Sequence, residues 1–202
     1  MSLELIRPDW PAPPGVHAFV TTRTGGVSQG PYASLNLGDH VGDVDAAVEV
    51  NRRIVCANLP GEPLWLSQVH GVAVASFEKS PAGLIEADAS VAFQKRQVCA
   101  ILTADCLPVL FCDRAGTVVA AAHAGWRGLL GGVLEHTVAA MNVPSDRLLA
   151  WLGPAIGPSA FEVGDEVRLA FVTQDSAAAR AFQPGRSAGK WWADLGLLAR
   201  MR

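Results

Sequence analysis

Short apolar runs, broken by glycine, proline and small charged clusters, recur along most of the chain. Runs of this length, rich in Val, Ala, Leu and Phe and bounded by turn residues, predict buried strands. They are HAFVTT (17–22), LWLSQVH (64–70), VAVASF (72–77), ADASVAF (87–93), VCAILT (98–103), PVLFCD (108–113), TVVAAAH (117–123) and LLAWLG (148–153). Arg114, Ala115 and Gly116 form a short hairpin-like turn between the PVLFCD and TVVAAAH runs. A helical period replaces the strand pattern in three places. Residues 43–59 open on aspartates able to cap and place Val44, Val48, Val55 and Leu59 near one face. GLLGGVLEHTVAAM (128–141) carries the stripe Leu130, Leu134, Val138 and Met141, and FEVGDEVRLAFV (161–172) reads as a short helix. Residues 23–43 form a long glycine-rich loop without periodicity, a kind that is usually functional or disordered; its apolar and aromatic content favours the former. Beyond residue 172 the pattern is weak. Many strands with few helices, not in strict βαβ alternation, predict a layered, mixed-sheet α/β domain.

Composition narrows the function classes. The 202 residues suit one large domain or two small ones; half are hydrophobic and 17% charged, which is a globular balance. There is no internal repeat, low-complexity tract or linker, and WPAPPG (10–15) reads as an entry segment. A net charge of −3 gives no reason to expect nucleic acid or an anionic membrane as partner. No apolar run approaches a membrane span, and Glu4, Arg7 and Pro8 interrupt any signal-peptide core. Cys56, Cys99, Cys106 and Cys112 form no C-x-x-C pair, so they read as reduced thiols of a cytoplasmic protein.

Three residues stand out by type and placement. His70 ends LWLSQVH, Cys106 follows LTAD at the end of another strand, and His123 ends TVVAAAH. Ligands at strand ends can converge over one edge of a sheet. One thiolate and two imidazoles match the preferences of zinc, and three protein ligands leave a tetrahedral position open, as in catalytic sites. The intervals of 36 and 17 residues match no local zinc-finger spacing. Taken singly, a strand-end histidine is more often a hydrogen-bonded structural residue, and a cysteine in an apolar strand a small buried hydrophobe. A metal-free dyad, with Cys106 as nucleophile and His123 as base, is a further reading that spacing does not separate from the metal site. Asp105 sits beside Cys106, where it could orient a ligand or a loop. Arg127 lies in a Gly-Trp-Arg-Gly turn leading into a helix, so its guanidinium and the first helical N–H groups suit an anion; a surface salt bridge is the alternative.

The segments TTRTGGVS (21–28), SLNLGDHVGD (34–43), LSQVHG (66–71), ADASV (87–91), LTADCLPVLF (102–111), AAHAGWRG (121–128) and LGPAIGPSAFEVGDEV (152–167) together resemble the YfiH family, also called the laccase-domain or polyphenol-oxidase-like family. The resemblance runs from about residue 10 to about residue 198 and implies a single domain over 1–202. It implies the layered αββα fold shared with bacterial deamidating toxins of the Cys-His type. It further implies zinc-dependent purine nucleoside phosphorylase activity on adenosine, inosine, guanosine and methylthioadenosine, together with adenosine deamination. The family's zinc ligands fall on His70, Cys106 and His123, of which Cys106 and His123 are the candidate catalytic residues. Links to peptidoglycan precursor editing and to copper-dependent polyphenol oxidation belong to the same family. Members usually continue past DLGLLAR (194–200) with a Cys-Thr segment and a strand carrying Ser-Tyr-Arg-Arg; the chain stops at Arg202, implying a shortened version with an exposed sheet edge.

The residues discriminate among these activities. Multicopper oxidation draws on many histidines and on His-x-His pairs, whereas the chain has five histidines (His17, His40, His70, His123 and His136) and no such pair. One adventitious copper in the zinc site is compatible with the N/S ligand set. Phosphorolysis needs an anion site, for which Arg127 and Arg23 of the glycine-rich loop are the cationic candidates. The H-x-E and P-C-x-x-C signatures of zinc nucleobase deaminases do not occur, so deamination would need another general acid or base. A Cys-His hydrolase or amidase and a zinc-stabilised module without catalysis complete the alternatives.

Overall fold

The computed structural model describes residues 3–78 and 85–202. Its regular elements in chain order are helix α1 (Asp45–Cys56), strands β1 (Val74–Ser76), β2 (Ala89–Ala92), β3 (Leu107–Asp113) and β4 (Val119–Ala124), helices α2 (Trp126–Gly131) and α3 (Val133–Met141), and strand β5 (Leu148–Leu152). Strand β6 (Glu162–Gly164), helix α4 (Asp165–Gln174), strands β7 (Phe182–Pro184) and β8 (Lys190–Ala193) and helix α5 (Leu195–Met201) follow. Five strands form the main sheet in the order β5-β3-β4-β2-β1, antiparallel except for the parallel β1–β2 pair. The order β6-β8-β7 makes a second, antiparallel sheet. Three pairs of two-residue strands complete the pairing, namely Leu5–Ile6 with Val20–Thr21, Pro63–Leu64 with Val98–Cys99, and Leu66–Ser67 with Ile85–Glu86. The mixed-sheet α/β expectation therefore holds.

Strands β3 and β4 are the centre of the main sheet and are buried almost along their whole length. Burial on both faces explains why their sequences are continuous apolar runs rather than alternating ones. Alternation still sorts the side chains by face. Ala89, Val91, Leu107, Val109, Phe111, Ala120, Ala122 and Ala124 join one core with Leu129, Val133, Leu134 and Met141 of α2 and α3. The small alanines of β4 let that helical layer come close. Val163, Val167, Phe171, Phe182, Leu195 and Leu198 extend the same core to the second sheet and its helices. By the same alternation Ser90, Pro108, Ala121 and His123 fall on the opposite face of the sheet.

Several expected boundaries move. The helix expected over 128–141 starts earlier, at Trp126, and breaks at Gly132, whose φ of 96° is a left-handed conformation that glycine alone adopts without strain. The helix expected over 161–172 opens as strand β6, and α4 runs on to Gln174. The helix expected over 43–59 spans only Asp45–Cys56, and Val44 is left 68% exposed, off the buried face. In place of the expected strand 64–70, only Pro63–Leu64 and Leu66–Ser67 pair, while Val98–Cys99 is all that forms of 98–103 and Val20–Thr21 all that forms of 17–22. The weakly patterned tail holds β7, β8 and α5; its elements are short, and the Asp194 carboxylate caps α5 by accepting from the Leu197 N–H at 2.8 Å.

The glycine-rich loop of 23–43 is tied to α1 by a buried polar knot. Asn51, fully buried, accepts from the Val27 N–H at 2.9 Å and donates to Ser28 Oγ and to the carbonyls of Ser34 and Asn36. A Cβ on Gly26 would lie 2.4 Å from Asn51 Oδ1, so the knot closes only around a glycine.

The hairpin joining β3 to β4 is held by Asp113, whose carboxylate accepts from the Thr117 N–H at 2.6 Å, Thr117 Oγ1 at 2.8 Å and the Val118 N–H at 3.1 Å. Burial alone would raise its pKa, but the bonds from Val118 and Thr117 outweigh burial and hold it below the ordinary 3.8. Asp113→Ala should destabilise the protein by about 1–3 kcal/mol, read from denaturant midpoints, because the buried Val118 N–H and both Thr117 donors lose their acceptor. A depressed carboxyl contributes its stability above its unfolded pKa and loses it as pH falls through the folded value. The gap between wild type and Asp113→Ala should thus be full at pH 7 and shrink below the ordinary 3.8; a gap independent of pH would contradict this account.

Candidate metal centre

The three sequence-selected residues meet in space. The ligand atoms of His70, Cys106 and His123 all lie within 4.8 Å of one another. Cys106 Sγ is 3.9 Å from His70 Nε2, and the two imidazoles meet edge to face with centroids 4.8 Å apart. His70 is exposed, Cys106 half-buried and His123 buried, so the cluster sits at the surface with its rear wall in the protein.

The elements that carry them differ from expectation. Only His123 lies in a regular strand, one residue from the end of β4. His70 does not end a strand; Gln68 and Val69 separate it from the Leu66–Ser67 strand, and it sits in a turn with φ of 60°. Cys106 precedes β3 instead of following a strand, and Leu107 is the first residue of β3. Gln68 joins the two loops: its Nε2 donates to the Leu102 carbonyl at 2.8 Å, and its Oε1 accepts from the Leu102 N–H at 2.7 Å. That two-way bond sets the His70 segment beside the segment leading to Cys106.

Asp88, placed just before β2 and fully buried, received no role in the sequence reading. Its Oδ1 accepts from His123 Nδ1 at 2.9 Å and from the His70 N–H at 2.9 Å. Its Oδ2 accepts from the N–H groups of Gly71 at 2.6 Å and Val69 at 3.2 Å. Gly125 was also missed. A Cβ there would lie 2.8 Å from His70 Cδ2 and 3.0 Å from Cys106 Sγ, so the absence of a side chain makes room for the cluster.

Electrostatics favour a neutral His123. Burial pulls its pKa below the ordinary value, with Asp88 acting in the opposite sense. Burial pushes the Cys106 thiol up, and the carboxylates of Asp105 and Asp88 push the same way. A nucleophilic cysteine needs the reverse setting, with cationic neighbours that lower its pKa. A bound cation would supply the charge that makes this sulfur a thiolate, and two imidazoles with one thiolate form a donor set suited to a transition metal. The cluster can therefore bind a metal ion.

The two arginines fall differently. Arg127 is exposed in the first turn of α2, not in a turn before a helix, and its guanidinium stacks 4.3 Å from the centroid of the Trp126 ring. It meets no carboxylate among the described residues. Arg23 is engaged with its own loop, Nε donating to the Ala33 carbonyl at 2.8 Å and Nη2 to the Pro31 carbonyl at 3.1 Å. His17, His40 and His136 are exposed and stand outside the only three-residue metal cluster among the described residues.

Known proteins share this framework. A Pseudomonas aeruginosa protein named purine nucleoside phosphorylase is 58% identical over 98% of this chain and 81% of its own length. The Escherichia coli purine nucleoside phosphorylase YfiH is 56% identical over 98% of this chain and 82% of its own. Among solved structures, a Neisseria meningitidis protein superposes with a TM-score of 0.92 at 55% identity, covering 98% of this chain and 81% of that one. YlmD from Geobacillus stearothermophilus superposes with a TM-score of 0.88 at 30% identity, covering 97% and 78%. The family described as multi-copper polyphenol oxidoreductase laccase matches residues 17–202, and the chain belongs to that family, as a relative of the YfiH proteins.

Proposed function

We propose that this chain is a zinc-dependent purine nucleoside phosphorylase, cleaving adenosine, inosine, guanosine or methylthioadenosine with phosphate. The observation that carries the reading is the convergence of two imidazoles and one thiol with no fourth ligand among the described residues. Relatives named purine nucleoside phosphorylase at 48–58% identity supply the reaction. A zinc ion held by His70, Cys106 and His123 would offer a Lewis-acid position with one place open to substrate.

The chain's own residues do the rest. Buried His123 offers its donor atom from the protein side, with half-buried Cys106 and exposed His70 beside it. Arg127, exposed two residues beyond Gly125, is the phosphate contact in this reading, and Arg23 is the second cation, with part of its guanidinium left after its two loop bonds. In phosphorolysis a phosphate oxygen bonds to C1′ as the C1′–N9 bond breaks, and the departing purine takes a proton. Adenosine deamination is a second activity of the same open position, drawing water instead of phosphate.

Two features count against the other readings. Multicopper chemistry lacks ligands, since the remaining histidines are exposed and apart from the cluster. A metal-free Cys-His hydrolase, including one for peptidoglycan precursors, lacks the cationic surroundings that would activate Cys106. A copper ion could still occupy the single site adventitiously.

Zinc-loaded protein incubated with inosine and phosphate should release hypoxanthine and ribose 1-phosphate, and omission of phosphate should stop hypoxanthine release. No product from any of the four nucleosides would overturn the phosphorylase reading. Ammonia from adenosine reports the deaminase activity separately.

A further inference from the structure

We propose that Asp88 is the positioning residue of the metal centre: its one buried carboxylate aligns both histidine ligands before an ion arrives. The inference rests on the metal-binding part of the function proposed above. It does not depend on which substrate is turned over.

The geometry divides the work between two oxygens. Asp88 Oδ1 receives the ring N–H of one ligand histidine and the backbone N–H of the other, each at 2.9 Å. Because a carboxylate is acceptor-only, the His123 nitrogen facing it must carry the proton. His123 Nδ1 is thereby the donor, and Nε2 keeps its lone pair for a ligand. A backbone bond from the His123 N–H to the Asp88 carbonyl at 2.7 Å fixes the two main chains in register, so the ring has little freedom to turn.

The same carboxylate shapes the His70 turn. Consecutive N–H groups of Val69, His70 and Gly71 curl around it at 3.2, 2.9 and 2.6 Å. Successive N–H groups gathered in this way form a concavity that binds anions, and here the anion is supplied by the protein itself. His70 has φ of 60°, a left-handed conformation that costs a residue with a Cβ about 1 kcal/mol or more. The three bonds to Asp88 hold it there and set where its ring leaves the backbone. No alternative acceptor serves those N–H groups: a fully buried carboxylate is their only partner among the described residues.

Two measurements test the assignment without reference to turnover. In 15N-labelled wild-type protein freed of metal, His123 should be the Nδ1–H tautomer by its ring nitrogen shifts; the Nε2–H tautomer would overturn the proposal. Zn2+ affinity by chelator competition should fall about 10–100-fold in Asp88→Asn, the range typical of partners behind a metal ligand. The amide retains one acceptor oxygen but turns an NH2 group toward donors: at the Oδ1 position it removes the acceptor of His123 Nδ1 and of the His70 N–H, and at the Oδ2 position that of the Val69 and Gly71 N–H groups which hold the His70 turn. Unchanged affinity in a folded variant would also overturn the proposal. Should Asp88→Asn fail to fold, the wild-type tautomer decides alone. Wild-type protein that binds no Zn2+ at all would sink the metal reading itself, whereas wild-type binding that Asp88→Asn leaves intact sinks only this inference.

Discussion

Cys106→Ser should lose metal and phosphorolysis together. Structural zinc sites release roughly 10–16 kcal/mol on binding. Removing the only thiolate of a three-ligand site forfeits about a third of that, on the order of 10^3-fold in affinity. Serine keeps the size of the side chain but its hydroxyl stays protonated and neutral. It cannot replace the negative charge that a cation draws from this thiol. The fold should survive, because Cys106 lies outside the regular strands, just before β3, and is only half-buried. Metal analysis and product formation are therefore to be read on the same folded sample. Loss of activity with zinc still bound at wild-type stoichiometry would instead point to Cys106 acting as a nucleophile, and the metal-ligand role would fall.

Gly125→Ala should produce a loss as large as that of Asp88→Asn, from a single methyl group. The backbone there has φ −63° and ψ 158°, which alanine adopts freely, so the change carries no conformational penalty. Replacing glycine by alanine at such a position is, if anything, mildly stabilising through the unfolded chain. The new Cβ would stand 2.8 Å from His70 Cδ2 and 3.0 Å from Cys106 Sγ, closer than atoms in contact permit. The His70 ring is exposed and gives way first, carrying its Nε2 out of reach of the shared position. Zinc affinity should drop about 10–100-fold, in the manner of a lost orienting partner, while the thermal midpoint stays at or above that of wild type. A variant with normal zinc affinity would show that the cluster tolerates the methyl group and that Gly125 serves only the start of α2.

Much of this was legible along the chain. The core strands β3 and β4 announced themselves because continuous apolar runs have few alternatives to burial on both faces. The three side chains of the candidate metal cluster were legible by type, since His and Cys at the ends of apolar runs are out of place in a plain core. The resemblance carried by TADC and HAGWRG pointed to the same three residues. Short elements were not legible. Pairs such as Leu66–Ser67 with Ile85–Glu86 are set by what lies beside them, and two residues carry no period of their own. The Gly131–Gly132 pair did offer a signal for the break between α2 and α3 that the Leu130–Met141 stripe obscured.

Asp88 marks the limit most sharply. A carboxylate inside ADASVAF is as unexpected as the one in TADC, and the same reasoning would have singled it out. What it does could not be read there, because its partners lie 17 to 19 residues upstream and 35 residues downstream. The sequence by itself determined the strand-rich α/β class, the residue types of the candidate metal cluster and the family. Only the tertiary structure decided that His70 stands in a left-handed turn, that Cys106 enters rather than leaves its strand, and that one buried carboxylate joins the two histidines of the cluster. The reason is physical. Apolar periodicity records which side chains leave water, whereas hydrogen-bond partners and steric room are fixed by distances between segments that only folding brings together.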